Sequence, residues 1–360
     1  MMFDRPFDLS KFRKEQNKAL KIKDGFFDPI TWIDTGNFAL NKMVSNDFYG
    51  GVPIGSVSGI AGESGSGKSY IASGNIIKNA LAMGVAVVVM DTENAVKRKW
   101  ATALGVDVDH PHLLRWSKST INQVAKTISD FMDDEYIPSV TKMAREEQPP
   151  VLFILDSLGN LETESGIEQF EKGELKGDMG LFAKQSKMLL KNCIRMFDGY
   201  QVGMVFTNHT YKNQNTYSDR EDIITGGGGQ LYISDILVSM NKSKLKEEGN
   251  KKNVLGIEST IKCVKSRYAK PFEQVDVLIP YETGMDRYSG LVDMFEKKEL
   301  LVKSGNSLVY KSQDGGKEFK MFRKELDANK DGILDIMMRE YKDDRGKLGV
   351  DETPEDADVE

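Results

Sequence analysis

A chain of 360 residues, 39% hydrophobic and 29% charged, can bury one large core with an appendage, or two domains. No run of eighteen apolar residues occurs, which excludes a membrane-spanning helix; two cysteines, Cys193 and Cys263, exclude a disulfide scaffold and point to a reduced, cytoplasmic compartment. The net charge of −6 argues against a nucleic-acid binder until it is located: residues 343–360 hold eight acids and two bases, and the rest carries 47 bases against 47 acids, from 49 and 55 in all.

The opening stretch, MMFDRPFDLSKFRKEQ, lacks the apolar core of a signal peptide. Residues 8–23 predict a short basic amphipathic helix, capped by Asp8 or Ser10, with Leu9, Phe12, Leu20 and Ile22 as an incomplete stripe. Such an arm, residues 1–31, is either a flexible terminus or a strip that docks on a neighbouring subunit. Residues 30–50 read as a linker, and Ile54 to Ile60 as a buried strand.

The next eight residues organise the chain. Gly62, Glu63, Ser64, Gly65, Ser66, Gly67, Lys68 and Ser69 fit G-x-x-x-x-G-K-[ST] between a strand and a helix. Glycines let consecutive N–H groups turn inward toward phosphate oxygens. Lys68 reaches the β- and γ-phosphates in such a loop, and the Ser69 hydroxyl suits Mg²⁺. The helix that Lys68 opens adds a favourable dipole. Its expected buried face is Ile71, Ala72, Ile76, Ile77, Ala80 and Met83.

Strands and helices then alternate. Val85–Met90, Val151–Leu155, Val202–Thr207 and Asp235–Met240 predict strands; residues 95–104, 120–135 and 179–197 predict helices. That order indicates a mostly parallel α/β sheet covered on both faces. After residue 254, VLGIESTIKCVKSR and EQVDVLIPYE predict an antiparallel extension. The ATPase-like core spans 32–288, a small helical and hairpin domain 289–342, and an acidic disordered tail 343–360.

Several strand ends carry chemistry. Asp156 leaves a buried strand at its carboxyl end, where open α/β sheets bind ligands, and can hold Mg²⁺ through water. Asp91 and Glu93 follow the strand beside the P-loop. At a period of two they would point the same way, as a base for an attacking water or as helix-capping acids. Asn208 and His209 end a third strand, as γ-phosphate reporters or as satisfied turn residues. Lys265 and Arg267, two apart, share a strand face, as cationic fingers or as solvated charges.

Residues 159–178 and 210–230 are long connections without evident strands, a length associated with function or disorder. The helix after the first carries Lys184, Lys187, Lys191 and Arg195 on one face, opposite Met179, Phe182, Leu189, Cys193 and Met196. A basic face is either solvated or a phosphate-neutralising surface with salt-dependent affinity. The first loop is acid-rich at Glu162, Glu164, Glu168, Glu171 and Glu174, which keeps it from lying along phosphates in full. His110 and His112 predict a surface loop. Asp327, Asn329, Asp331, Gly332 and Asp335 imitate an EF-hand start, but Met338 stands where a bidentate Glu is required, so an Asx-rich turn is expected.

The stretches WIDTGNFAL, GGVPIGSVSGIAGESGSGKS, DTENAVKRKWATALGVD, VLFILDSLGNL, GDMGLFAKQSKMLLK, FTNHTY, ITGGGGQLY, VKSRYAKPF and DRYSGLVDM, in order over residues 32–295, resemble RecA-type recombinases, most of all the UvsX recombinases of large tailed phages. The resemblance implies a head-to-tail helical filament on single-stranded DNA, Mg-ATP hydrolysed to ADP and phosphate between adjacent subunits, and strand exchange with homologous duplex DNA. It implies a single-strand-binding protein and a recombination mediator as partners, and a host cytoplasm if the chain is phage-encoded. By position, Glu93 resembles the catalytic carboxylate, Trp100 the aromatic against adenine, and Asn208 with His209 the phosphate sensor, where the wider family has Gln in place of His209. Lys265 and Arg267 resemble a pair, commonly two lysines, that reaches the neighbour's ATP. The two long connections match DNA-binding loops, and Met179, Lys184, Lys191, Gly226, Gly227, Gly228 and Gly229 match DNA-contacting positions. The acidic tail matches one that restrains duplex binding. Two rival readings are a RecA-fold hexameric helicase, which would translocate without strand exchange, and an ATP-binding signalling module, which single-stranded DNA would not stimulate.

Overall fold

The computed structural model describes residues 10–14, 26–94, 96–174, 180–211, 223–225, 229–247, 250–312 and 316–341. Most of the N-terminal arm, Met179, Gly226 to Gly228 and the acidic tail lie outside these residues. The chain divides into two compact units, Met1–Arg287 and Tyr288–Glu360.

The stretch read as a linker is ordered core. Strand β1 (Trp32–Ile33) pairs antiparallel with β2 (Val52–Pro53), and helix α1 (Phe38–Ser45) lies between them in sequence. Asn37 caps α1 by accepting from Leu40 N at 2.8 Å, and Asn46 ends it in the left-handed region. Phe38, Leu40, Met43 and Val44 are buried, which accounts for a helix where the short run of apolar residues had no evident period.

Strand β3 (Val57–Gly62) begins three residues later than expected. Gly55, at φ +95°, turns the chain between Ile54 and Val57. Helix α2 (residues 68–82) follows the P-loop, and its segment Tyr70–Ile76 is wound as a π-helix. It buries Ile71, Ala72, Ile76, Ile77 and Ala80, whereas Met83 is exposed because the helix has ended at Ala82. Then come β4 (Ala86–Asp91), α3 (Arg98–Ala103), β5 (Leu113–Ser117) and α4 (Ile121–Asp130). Strand β5 has no buried residue, so its sequence carries no core pattern.

After β6 (Val151–Asp156), the first long connection holds a helix, α5 (Glu164–Glu171), capped by Thr163. It buries nothing, which is why it has no apolar stripe to read. The remainder of the unit is α6 (Leu181–Phe197), β7 (Val202–Tyr211), β8 (Ile223–Ile224), α7 (Gly229–Ile233), β9 (Ile236–Glu247), β10 (Asn250–Ser266) and β11 (Gln274–Pro280).

The main sheet runs β11-β10-β9-β3-β7-β6-β4-β5. It is parallel from β9 through β3 to β5, and antiparallel from β9 through β10 to β11. Strand β9 belongs to both parts, pairing with β3 only as far as Met240. On one face Phe153, Leu155 and Phe206 pack with Ile121, Val124, Ile128, Leu189, Cys193 and Phe197 from α4 and α6. The alternate residues Leu152 and Ile154 are equally buried outside that cluster. A strand buried on both faces reads as the continuous apolar run VLFIL.

The second unit has helix α8 (Leu291–Lys297), an antiparallel sheet of β12 (Val302–Ser304), β13 (Ser307–Lys311) and β14 (Glu318–Met321), then α9 (Arg323–Ala328) and α10 (Ile333–Glu340). Asn329 sits at φ +44°, accepts from Leu334 N at 2.9 Å and donates to Asp335 at 2.7 Å. The EF-hand look-alike is therefore an Asx-rich turn into α10. Among the described residues no group of three or more His, Cys, Asp or Glu side chains could hold a metal ion, and no helix is long and apolar enough to cross a membrane.

Candidate nucleotide site and nucleic-acid face

The P-loop leaves β3 at Gly62, where a Cβ would stand 2.6 Å from Met240 O. Gly67, at φ +100°, has the same constraint from Ile279, so both positions are closed to larger side chains. Lys68 is buried and its Nζ donates to Gly62 O at 3.0 Å and Glu63 O at 2.9 Å. Desolvation lowers its pKa, and the carboxylates of Asp156 and Glu93 oppose that shift. An ammonium whose direct partners are two neutral carbonyls keeps its charge available to an anionic partner. Lys242 also donates to Ser64 O, and its N–H donates to Glu63 Oε1 at 3.0 Å.

Gly65, Gly67, Lys68 and Ser69 form one end of a cavity of about 340 Å³. Tyr70, Val96, Trp100, Ile257 and Tyr281 line the rest. The rings of Tyr70 and Trp100 meet edge to face, 5.6 Å between centroids. A polar cradle at one end and aromatic surface at the other fit a triphosphate joined to a flat base. The hydroxyl of Ser69 and the carboxylate of Asp156 are hard oxygen donors that fit Mg²⁺. Asp156 is buried and accepts from Ser73 at 2.7 Å and Thr207 at 2.5 Å. Ser73 was legible in principle, one helical turn after Ser69 on the same face. Tyr281 and Ile257 come from the antiparallel extension, and nothing local marked them.

Asp91 and Glu93 do not act as a pair. Strand β4 ends at Asp91, so the period of two stops there. Asp91 is buried and accepts from Glu93 N, Val96 N and Arg115. Glu93 instead faces Ser157 Oγ at 2.9 Å and His209 Nε2 at 3.0 Å, both contacts falling on Oε1.

From His209 a chain of hydrogen bonds leads to the second long connection. Asn208 donates to Thr225 O at 2.9 Å and accepts from His209 N. Thr225 N and Oγ1 both donate to His209 O at 2.9 Å. Gly159, Phe170 and Phe182 share a cavity of about 380 Å³ with Thr225, so the two long connections and α6 meet there. Lys184, Lys187, Lys191 and Arg195 are exposed on α6, while Leu189 and Cys193 are buried opposite. A Cβ on Gly229 would stand 3.1 Å from the Lys187 side chain, which brings α7 against the basic face.

Lys265 and Arg267 sit elsewhere. Arg267 pairs with Asp235 at 2.8 Å, and Lys265 donates to Tyr232 O at 3.1 Å. Burial lowers the Lys265 pKa, with Arg267 adding to that and Asp235 opposing it. Arg267 N donates to Asp235 O and Asp235 N to Val57 O, so Arg267 lies level with the start of β3. The P-loop leaves the other end of β3, about 16 Å away at 3.3 Å per residue.

Fold and site together define a P-loop ATPase of the α/β class on a mostly parallel sheet. Residues 10–286 match the family model described as the RecA N-terminal domain, and the chain belongs to the RecA family. It is 27% identical over 360 residues to Protein RecA of Nocardia farcinica, covering 98% of this chain and 96% of that one. Over 356 residues it is 26% identical to Protein RecA of Rhodococcus jostii, covering 97% and 94%. Protein RecA of Streptomyces venezuelae is 27% identical over 356 residues, covering 98% and 86%. Family membership carries a general recombinase and ATPase function with it.

Proposed function

We propose that this chain is a strand-exchange recombinase of the UvsX type, assembling head to tail on single-stranded DNA and hydrolysing ATP between subunits. Lys68 and the P-loop amides bind the β- and γ-phosphates, and Trp100 with Tyr70 and Tyr281 borders the base. Ser69 and Asp156 would hold Mg²⁺, which supplies charge neutralisation on the phosphates. Glu93 takes a proton from the attacking water, the water oxygen bonds to the γ-phosphorus, and ADP leaves. Lys265 and Arg267 serve the neighbour's ATP, being at the far end of the sheet from their own P-loop. The basic face of α6 and the two long connections bind the single strand.

One observation supports this reading most. The carboxylate that would activate water contacts His209, and the main chain of His209 is bonded to Thr225 beside the nucleic-acid face. Occupancy at either place then has a short route to the other. The test is ATP hydrolysis with and without single-stranded DNA, beside transfer of a labelled strand from homologous duplex, for the natural chain and Lys68→Ala. The expected result is DNA-stimulated hydrolysis and strand transfer by helical filaments, both lost in Lys68→Ala. Closed rings that unwind duplex without pairing would replace the reading with a helicase.

A further inference from the structure

The buried carboxylate of Asp91 stands behind Glu93, and Arg115 stands behind Asp91. Oδ1 of Asp91 accepts from Glu93 N at 3.2 Å, and Oδ2 accepts from Val96 N at 3.1 Å. One carboxylate therefore grips both ends of the turn between β4 and α3. The first end carries the carboxylate that faces Ser157 and His209. The second carries Val96, which lines the nucleotide cavity beside Trp100. The turn is tight: Asn94 is at φ +52° and accepts from Ser117 Oγ at 2.7 Å.

A carboxylate with no exposed side-chain surface needs a compensating charge. Arg115 provides it, with Nη2 2.5 Å from Oδ2. Arg115 reaches in from the edge strand β5, paired with Val89 in the neighbouring strand, and Ser117 on the same strand holds Asn94. Strand β5 thus pins the turn at two points. On the other face of the strand Leu114 and Trp116 are 49% and 42% exposed, so β5 contributes these contacts and no fully buried side chain.

We infer that Arg115 is a positioning residue for hydrolysis: through Asp91 it holds the turn that aims Glu93 and shapes the base end of the cavity. The inference rests on the reading of Glu93 as the base. Misplacing a reacting group by about 1 Å costs on the order of 10²-fold in rate. Loss of a cavity wall residue's support has a smaller effect on binding.

The test compares Arg115→Met and Arg115→Lys, alone and combined with Glu93→Gln, by single-stranded-DNA-stimulated turnover and by fluorescence titration with mant-ADP. Arg115→Met should lower kcat about 10- to 100-fold and weaken mant-ADP binding less than tenfold. Arg115→Lys, which keeps the charge, should recover most of the turnover. In the Glu93→Gln background Arg115→Met should leave the residual turnover nearly unchanged while still weakening mant-ADP. Turnover of Arg115→Met within twofold of the natural chain overturns the inference, and so does a loss that multiplies fully with Glu93→Gln. If Arg115→Met fails to fold around an unpaired Asp91, the Asp91→Asn, Arg115→Met double variant removes both charges; normal kcat in that protein equally overturns it. Failure of the base assignment shows separately, as normal turnover by Glu93→Gln alone.

Discussion

Glu93 owes its surroundings to residues that lie far from it in the chain. Ser157 follows the strand end at Asp156, whereas His209, expected at a strand end, lies within β7, which runs on to Tyr211 past its last pairing with β6 at Phe206; parallel pairing of β4, β6 and β7 brings the three positions to one edge. Each residue there has a separate task. Asp156 is held by Ser73 and Thr207, Asp91 by Arg115, and Glu93 by Ser157 and His209, both on Oε1. Replacing Glu93 by Gln removes a proton acceptor and keeps the shape. Nucleotide binding and filament assembly should persist while hydrolysis falls 10²-fold or more, the usual scale for a lost base. Steady-state hydrolysis beside electron microscopy of filaments checks this; turnover at the natural rate would move the base elsewhere.

At the scale of elements, the junction of β9 and β10 carries a buried acid under an exposed base. Asp235 has its pKa raised by desolvation, and Arg267 and Lys265 pull it back down. In Arg267→Ala desolvation acts with less opposition, so the folded-state pKa rises further above the unfolded one. A carboxyl group raised on folding costs no stability while it is protonated in both states. The cost grows as pH rises from the unfolded pKa through the folded one. The melting-temperature deficit of Arg267→Ala should therefore be smallest near pH 4 and increase toward pH 7. A deficit independent of pH would mean that Arg267 stabilises by packing alone. The same junction explains the change of pattern after residue 254: β9 serves a parallel neighbour on one side and an antiparallel one on the other.

At the scale of the whole molecule, the cations at the P-loop, Lys68 and Lys242, both donate to P-loop carbonyls, and further positive charge is needed for the charge that spreads over the γ-phosphoryl group in the transition state. Lys68 faces the P-loop carbonyls, whereas Lys265 and Arg267 lie at the other end of the sheet. In the filament proposed above, one subunit's pair serves the next subunit's phosphates. Cationic fingers at other phosphoryl-transfer sites contribute about 10³–10⁵ in rate. On the proposed roles, Glu93→Gln keeps its pair and lacks a base, whereas Arg267→Ala keeps its base and lacks a finger. Mixed, they should restore part of the DNA-stimulated hydrolysis that neither shows alone. Microscopy should confirm mixed filaments, and no restoration across mixing ratios would count against cations supplied in trans.

The amino-acid sequence by itself determined the P-loop, the buried strands that precede Asp91, Asp156 and Asn208, and the change from parallel to antiparallel pairing. These signals are local, because a strand buried on both faces must be apolar throughout and a phosphate cradle must be glycine-rich. Helices α1 and α5 and strand β5 were not legible in that way. The first has too few turns to show a period, and the other two bury no side chain of their own. Only the tertiary structure separated Asp91 from Glu93, joined His209 to Thr225, and brought Tyr281 to the cavity. Those relations depend on where a strand ends and which strands become neighbours, and spacing along a chain carries no record of either.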